Sequence, residues 1–240
     1  MNDNGNSEIK RIKNEYQKRD TAEINKYENL YSPLNPAAIF IRHEIENHTA
    51  NFLFNSIETG NIKKLKVLEV GCGNGSMLNM FTQLGFGEKN LTGIDLMESR
   101  LKNAATCHNQ NGYLCANGEK LPFKNSSFEI VSQFTVFSSI LNKTTKQNIA
   151  AEMKRVCKPG GIIIWYDMIH TNPLNKNLKG IRYGEIKELF NITQNAVTKR
   201  IILNPWILRP ALKISKILCD ILSAVKIFNS FYISFITVNK

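Results

Sequence analysis

The chain has no long apolar segment, little glycine or proline, few acids and no paired cysteines. Its five cysteines, at 72, 107, 115, 157 and 219, are scattered and form no C-x-x-C pair. An odd, dispersed set argues against a disulfide scaffold or a zinc module and fits a reducing compartment. The apolar, charge-free runs Ile130–Asn142 and Ile227–Asn239 reach only 13 residues each, too short to span a bilayer. The first residues are polar and charged, unlike a secretory signal, so a cytoplasmic location is expected, at most peripheral to a membrane. With Gly 14, Pro 7 and 42% apolar residues in 240, the composition is that of a globular chain long enough for a full core.

Acids are the scarcest of the charged groups, 20 against 31 bases, for a net charge of +11. The shortage is local. Residues 171–240 hold 11 bases and only 3 acids. The chain is rich in Asn, Ile and Lys, which A/T-rich codons favour, and such bias raises the pI with no partner involved. The alternative is an anionic partner.

Residues 1–30 are polar with sparse apolar positions (Ile9, Ile12, Tyr16, Ile24, Tyr27, Leu30), as in a loosely packed helix or arm ending near Ser32-Pro33 and Asn35-Pro36. Pro36–Ile57 has helical spacing and is stopped by Gly60. From Leu65 short apolar runs alternate with amphipathic stretches. Strands are expected at Leu65–Val70, Leu91–Asp95, Tyr113–Ala116, Phe128–Phe134, Gly161–Asp167, Ala196–Leu203 and Phe231–Val238, with helices at Ser76–Leu84, Glu98–Cys107, Thr144–Cys157 and Arg182–Phe190. Strands that are apolar throughout, such as Ile162-Ile163-Ile164, expect helices on both faces. The pattern reads as an α/β doubly wound sheet.

The most informative segment is Val67-Leu68-Glu69-Val70-Gly71-Cys72-Gly73-Asn74-Gly75. Its glycines stand where the first strand turns into a helix, where the backbone bends sharply and a ligand must approach closely. Ser76 stands where a dinucleotide fingerprint requires glycine, and no Gly-Lys-Ser/Thr follows, so a dinucleotide and a nucleoside triphosphate are disfavoured. The acid Glu69 would repel pyrophosphate and suits a ligand bearing an ammonium or sulfonium. Asp95 closes the second strand, where a carboxylate can accept both hydroxyls of a ribose. The next strand end carries Asn117, whose carbonyl oxygen can accept from an adenine amino group, and Gly118, whose N–H can donate to the ring.

The segments VLEVGCGNG (67–75), GIDL (93–96), ANGEKLPF (116–123), SSFEIVSQF (126–134) and RVCKPGG (155–161) resemble, in order and spacing, those of class I S-adenosylmethionine-dependent methyltransferases. The likeness is to the small-molecule enzymes of methyltransferase-domain type 11, which include those of quinone biosynthesis, and it spans roughly Leu65–Asp167. It implies S-adenosylmethionine as cofactor and a Rossmann-like, seven-stranded, mostly parallel sheet with an antiparallel last strand, Phe231–Val238. It assigns Glu69, Gly71, Cys72, Gly73 and Gly75 to the methionine end, Asp95 to the ribose, and Asn117, Gly118 and Glu119 to adenine, with Leu96 also cofactor-binding. Gln133 would lie beside the methionine moiety. Asn117 stands where the family usually has Asp, which weakens affinity at most. QFTVFSSIL (133–141), WYDM (165–168) and Asn172-Pro173 also resemble a bacterial subgroup seen with polysaccharide and natural-product assembly genes.

The resemblance divides the chain into a helical cap or arm, 1–60, and a methyltransferase domain, 61–240, with a basic helical insertion at 204–230. The acceptor is expected to be a small molecule, an oxygen of a sugar, glycolipid or natural-product precursor, anionic or lipid-linked. An oxygen acceptor needs a base, and past the strand ends the candidates are His170 and Asp167. His43 and His48 lie on a helix that could cover the pocket, but each is read first as a plain surface histidine. No Asn-Pro-Pro-Tyr/Phe run follows the fourth strand, against amino-methylation of DNA adenine or protein glutamine. Four scattered histidines make no metal site. In the insertion, positions 214, 218, 221, 225 and 228 share helical spacing. They are expected either to pack on the sheet as a lid or, with Lys213, Lys216 and Lys226, to touch an anionic membrane through 205–229. No RNA-binding module is found, so an RNA acceptor is an alternative carried by charge alone, and a non-catalytic cofactor-binding subunit is another.

Overall fold

Seven strands form one sheet in the computed structural model, which describes residues 3–22, 32, 34–173 and 175–239. Ile24, Tyr27 and Leu30 of the expected arm lie outside the described residues. Among the described residues two helices come first, α1 (Asp3–Ala22) and α2 (Pro36–Ser56). Then β1 (Val67–Val70), α3 (Leu78–Gln83), β2 (Leu91–Asp95), α4 (Glu98–Cys107) and β3 (Gly112–Cys115) build one half of the sheet. The other half is β4 (Phe128–Phe134), α5 (Lys143–Val156), β5 (Cys157–Met168), α6 (Tyr183–Phe190), β6 (Ala196–Leu203), α7 (Pro205–Ile214), α8 (Lys216–Ala224) and β7 (Asn229–Thr237).

The strand order is β3-β2-β1-β4-β5-β7-β6. β1 to β5 pair in parallel, with Val67 opposite both Leu91 and Ile130, and β7 runs antiparallel between β5 and β6. The chain therefore leaves β1 in one direction and returns on its other side at β4. This switch point opens a crevice outside the carboxyl ends of β1, β2 and β4.

Alternation along the strands sorts the core into two layers. Leu68, Val131, Ile163 and Trp165 face Ile149, Met153 and Val156 of α5 and Ile186 of α6. Val67, Ile130, Ile162 and Ile164 face Leu78 and Phe81 of α3 and Ile45 and Leu53 of α2. The α2 helix thus belongs to the sheet's own core rather than covering the crevice. Asn35 starts it, accepting from the Ala37 N–H at 2.9 Å just before Pro36.

The insertion departs from one of its two expected arrangements. Ser215 ends α7 and caps α8, its hydroxyl accepting from the Ile217 N–H at 3.1 Å, so no single helix runs across 205–229. Leu208, Ala211 and Cys219 pack on Ala37, Phe40 and Leu203. Ile214, Ile221, Val225 and Phe228 face outward, and the sheet-packed lid face expected of them is absent.

The β5 strand starts earlier than its apolar run: Cys157 lies opposite Phe128, and the register shifts across Pro159-Gly160-Gly161 before Ile162 lies opposite Ile130. Gly160 takes φ +75° with open space around it. A Cβ on Gly161 would lie 2.8 Å from the Glu129 carbonyl oxygen and 2.9 Å from that of Lys158. Gly160→Asn, a residue that tolerates positive φ, should therefore cost under about 1 kcal/mol. Gly161→Ala should cost about 2 kcal/mol or more, as measured by denaturant unfolding.

Candidate functional site

At the switch point the chain lines an open cavity of about 990 Å³. Its floor is the glycine loop. Gly71, Gly73 and Gly75 all have positive φ, between 52° and 76°, which a side chain would oppose. A Cβ on Gly71 would also collide with Val136. The Gly71 and Cys72 N–H groups both donate to the Ile94 carbonyl, at 2.8 and 2.9 Å, which binds the loop to β2.

Asp95 ends β2 on the cavity wall, and its two oxygens have separate tasks. Oδ2 accepts from the Gly73 N–H at 2.9 Å and Oδ1 from the Met97 N–H at 2.8 Å. Leu96 and Met97 continue the wall with apolar groups, and Asn117 and Gly118 face in from beyond β3. Asn117 Oδ1 accepts from the Glu119 N–H at 3.0 Å, and this local turn fixes the loop. The Glu119 carboxylate takes the Asn148 amide at 2.8 Å and is not among the residues on the wall.

Three residues with chemistry-bearing side chains are placed between strands instead. Glu69 lies in β1, only 2% exposed, opposite Gly93 and Ser132, and its Oε2 has no hydrogen-bond partner. Burial, reinforced by the Asp95 charge, pushes its carboxyl well above the usual carboxylate range, and the side chain does not line the cavity. Cys72 beside it is held as a thiol by burial and by the Glu69 and Asp95 charges. Gln133 is fully buried. Its Oε1 accepts from the Val136 N–H at 2.9 Å and its Nε2 donates to the Tyr166 carbonyl at 3.1 Å. It braces the loop that puts Phe134, Thr135 and Val136 on the wall, where Thr135 is held at φ +60°.

Asp167 is likewise sealed, with Oδ2 accepting from the Ser138 N–H at 2.9 Å and Oδ1 from the Met168 N–H at 2.8 Å. Burial pushes its carboxyl up to about 6, against the pull of those donors and of Lys146. His170 is exposed just past β5. Neither side chain lines the cavity. His43 and His48 lie on α2, away from it.

The wall that sequence reasoning missed comes from α1. Ile9, Ile12 and Tyr16 project into the cavity at helical spacing. Tyr16 shares a 2.9 Å hydrogen bond with the Ser139 hydroxyl, and the Arg100 guanidinium sits 4.4 Å from its ring centroid. Arg100 also donates to the Asp20 carboxylate at 2.7 Å. Glu8, nearly buried, accepts from the Leu141 N–H at 2.6 Å, while Arg11 donates to Glu8 and to the Ser139 carbonyl. The Ile9-Ile12-Tyr16 spacing gave the helix; its partners lie about a hundred residues away and leave no local signal.

Two expectations follow. Burial works against the Glu8 charge, but Arg11 and the two N–H groups outweigh it and hold the carboxyl below its usual range. Glu8→Gln should speed hydrogen exchange of α1 amides by roughly tenfold or more, leaving sheet amides unchanged. Asp167 titrates near 6 when folded and near 3.8 when unfolded, so its contribution to stability falls as pH rises from about 4 to about 6. Denaturant titrations across that window should show wild type losing on the order of 3 kcal/mol relative to Asp167→Asn.

Comparison with known proteins bears on the same segment. Residues 68–165 match the family model described as a methyltransferase domain. The chain is 29% identical over 126 residues to a malonyl-[acyl-carrier protein] O-methyltransferase of Buchnera aphidicola, covering 52% of this chain and 48% of that protein. It is 33% identical over 103 residues to the ubiquinone/menaquinone biosynthesis C-methyltransferase UbiE of Burkholderia vietnamiensis, covering 41% of each. The chain thus spans about half the length or less of these curated relatives. In structure it resembles magnesium protoporphyrin IX methyltransferase from Synechocystis, solved with bound SAM, at TM-score 0.59 and 13% identity over 94% of this chain and 96% of that one. Across residues 68–165 the chain is thus similar to a methyltransferase domain, and it shares its fold with an S-adenosylmethionine-binding methyltransferase of known structure.

Proposed function

We propose that the chain transfers a methyl group from S-adenosylmethionine to a small-molecule acceptor, an oxygen of a sugar, glycolipid or natural-product precursor. One observation carries the reading. A carboxylate, Asp95, stands in a cavity at the switch point beside a glycine loop that has no room for a Cβ at Gly71.

The donor set fits the cofactor. Asp95 would take the ribose hydroxyls, Leu96 and Met97 the flanks of the adenine, Asn117 and Gly118 its edge, and the Gly71–Gly73 backbone the methionine end. Glu69 would support that end from below the loop, buried in β1. When bound, the cofactor supplies an electrophilic methyl on a sulfonium. The chain's own contribution is alignment, which for well-oriented reactants amounts to about 7–11 kcal/mol of the barrier. The α1 helix excludes water over the cavity, and Gln133 with Asp167 holds the 134–138 loop. His170, exposed past β5 and off the cavity wall, is the proposed acceptor of the proton from a hydroxyl of an acceptor that extends beyond the cavity, with Asp167 a buried positioning group for the 134–138 loop through the Ser138 N–H.

A cavity walled on one side by the α1 helix favours a small acceptor over RNA. Both an O-methyltransferase and a C-methyltransferase stand among the relatives, so the acceptor atom is read from the product. Calorimetric titration with S-adenosylmethionine should show Asp95→Ala weakening binding by roughly 10- to 100-fold, the worth of charge-assisted hydrogen bonds. Unaltered affinity would remove the site. Labelled methyl should appear on hydroxyl-bearing sugars or glycolipids, and His170→Ala should lower kcat without changing cofactor affinity. Label in total RNA, or binding without turnover on any acceptor, would overturn the small-molecule enzyme.

A further inference from the structure

The helices of the insertion are apolar on two faces, and the fold uses only one. Leu208, Ala211 and Cys219 close against Ala37, Phe40 and Leu203, with Leu212, Leu218 and Leu222 packed around them. On the other side Trp206 is 78% exposed, Ile214 76%, Ile217 71%, Ile221 60% and Ile227 74%. Ile217 and Ile221 are one turn apart on α8, and Trp206 and Ile214 lie two turns apart on α7. A helix apolar nearly all round is one that something covers, and exposed apolar ridges of this kind mark interaction surfaces.

The charges beside the ridge say what covers it. Arg209, Lys213, Lys216 and Lys226 are all exposed and make no ion pair among the described residues. The acids near them are Asp220 on α8 and Glu44 on α2, which faces Lys216 and Lys226. Four cations interleaved with protruding isoleucines and a tryptophan complement an anionic, yielding, apolar-centred surface. A folded protein partner would meet this ridge with a matching groove and acids; a bilayer of anionic lipids needs neither. Among the described residues no helix is long and apolar enough to cross a membrane, so the ridge would lie in the interface.

Topology orients it. β6 and β5 both pair antiparallel with β7 and therefore point the same way, which puts the end of β6, and the helices that follow, on the edge of the sheet where the cavity opens. We propose that the α7–α8 ridge docks the protein onto anionic membranes, with its apolar side chains in the headgroup boundary and its cations on lipid phosphates. This goes beyond the proposed methyl transfer and is read without turnover, so the two fail separately.

The chain itself supplies the probe. Of its two tryptophans, Trp165 is fully buried and Trp206 is on the ridge. Full-length protein is mixed with vesicles of phosphatidylcholine alone or of phosphatidylcholine with phosphatidylglycerol, at low and high salt. Cosedimentation should favour the anionic vesicles, with a blue shift of emission that Trp206→Phe abolishes. Lys213→Gln/Lys216→Gln/Lys226→Gln should weaken binding on the order of 100-fold at low salt and flatten the salt dependence. Ile217→Ser/Ile221→Ser/Ile227→Ser should lose about tenfold or more per site. The substituted side chains are exposed, so cofactor affinity and the unfolding midpoint report that the variants fold. Absence of binding by wild type, or equal binding by the isoleucine variant, overturns the proposal. So does a concentration-dependent dimer that the isoleucine variant dissolves, which would make the ridge a contact between copies.

Discussion

Everything about the crevice depends on one carboxylate between two backbone N–H groups. Asp95 holds Gly73 with one oxygen and Met97 with the other, which joins the turn after β1 to the turn after β2. Strand pairing alone fixes β1 and β2 only as far as Val70 opposite Ile94. Beyond that the Gly71 and Cys72 N–H groups reach only back to Ile94, and Gly73 would be free to move, because the loop's three positive-φ residues carry no side chains to pack. Asp95 removes that freedom while remaining on the cavity wall. The same group therefore shapes the site and faces into it, and its substitution is read in both.

The remaining polar side chains at the site divide by the strand face on which they fall. Glu69, Gln133 and Asp167 each sit at or near the carboxyl end of a central strand, where sequence reasoning looks for ligands and bases. Parallel strands covered on both faces leave little solvent there. Burial lifts the Glu69 carboxyl well above the usual carboxylate range and Asp167 to about 6, and Gln133 and Asp167 spend their hydrogen bonds on backbone groups of neighbouring segments. These bonds hold the 134–138 loop against the cavity, including the unfavourable backbone of Thr135. Residues that look like chemistry in one dimension serve as braces in three.

This explains which parts of the structure were legible in the sequence. The strands were, because runs such as Ile162-Ile163-Ile164 state their burial locally, and so were the glycine loop and Asp95, whose spacing is set by one strand-turn-strand unit. The α1 wall was not. Tyr16 depends on Ser139 and Arg100, and Glu8 on Leu141, contacts that no local period encodes. The insertion misled for a different reason. Spacing through 214, 218, 221, 225 and 228 describes one helix face, but Ser215 restarts the helix, and a restart rotates every later residue relative to those before it.

That restart also bears on why the exposed isoleucines are a built feature. A loose insertion could turn such side chains inward, and burying each would gain about 1.5–3 kcal/mol. This one is closed at its base. The Asn204 N–H donates to the Phe228 carbonyl at 2.9 Å, and the Asn204 side chain caps α7 through Trp206. Asn229, 1% exposed, donates to the carbonyls of Arg200 and Ser223, which ties the end of α8 back to β6. With both ends fixed and Cys219 fully enclosed against α2 and β6, rotating α8 to hide Ile217 and Ile221 would expose Leu218, Cys219 and Leu222 in their place. The helix has two apolar faces and one core to give them, so whichever way it turns, one face is left for a partner.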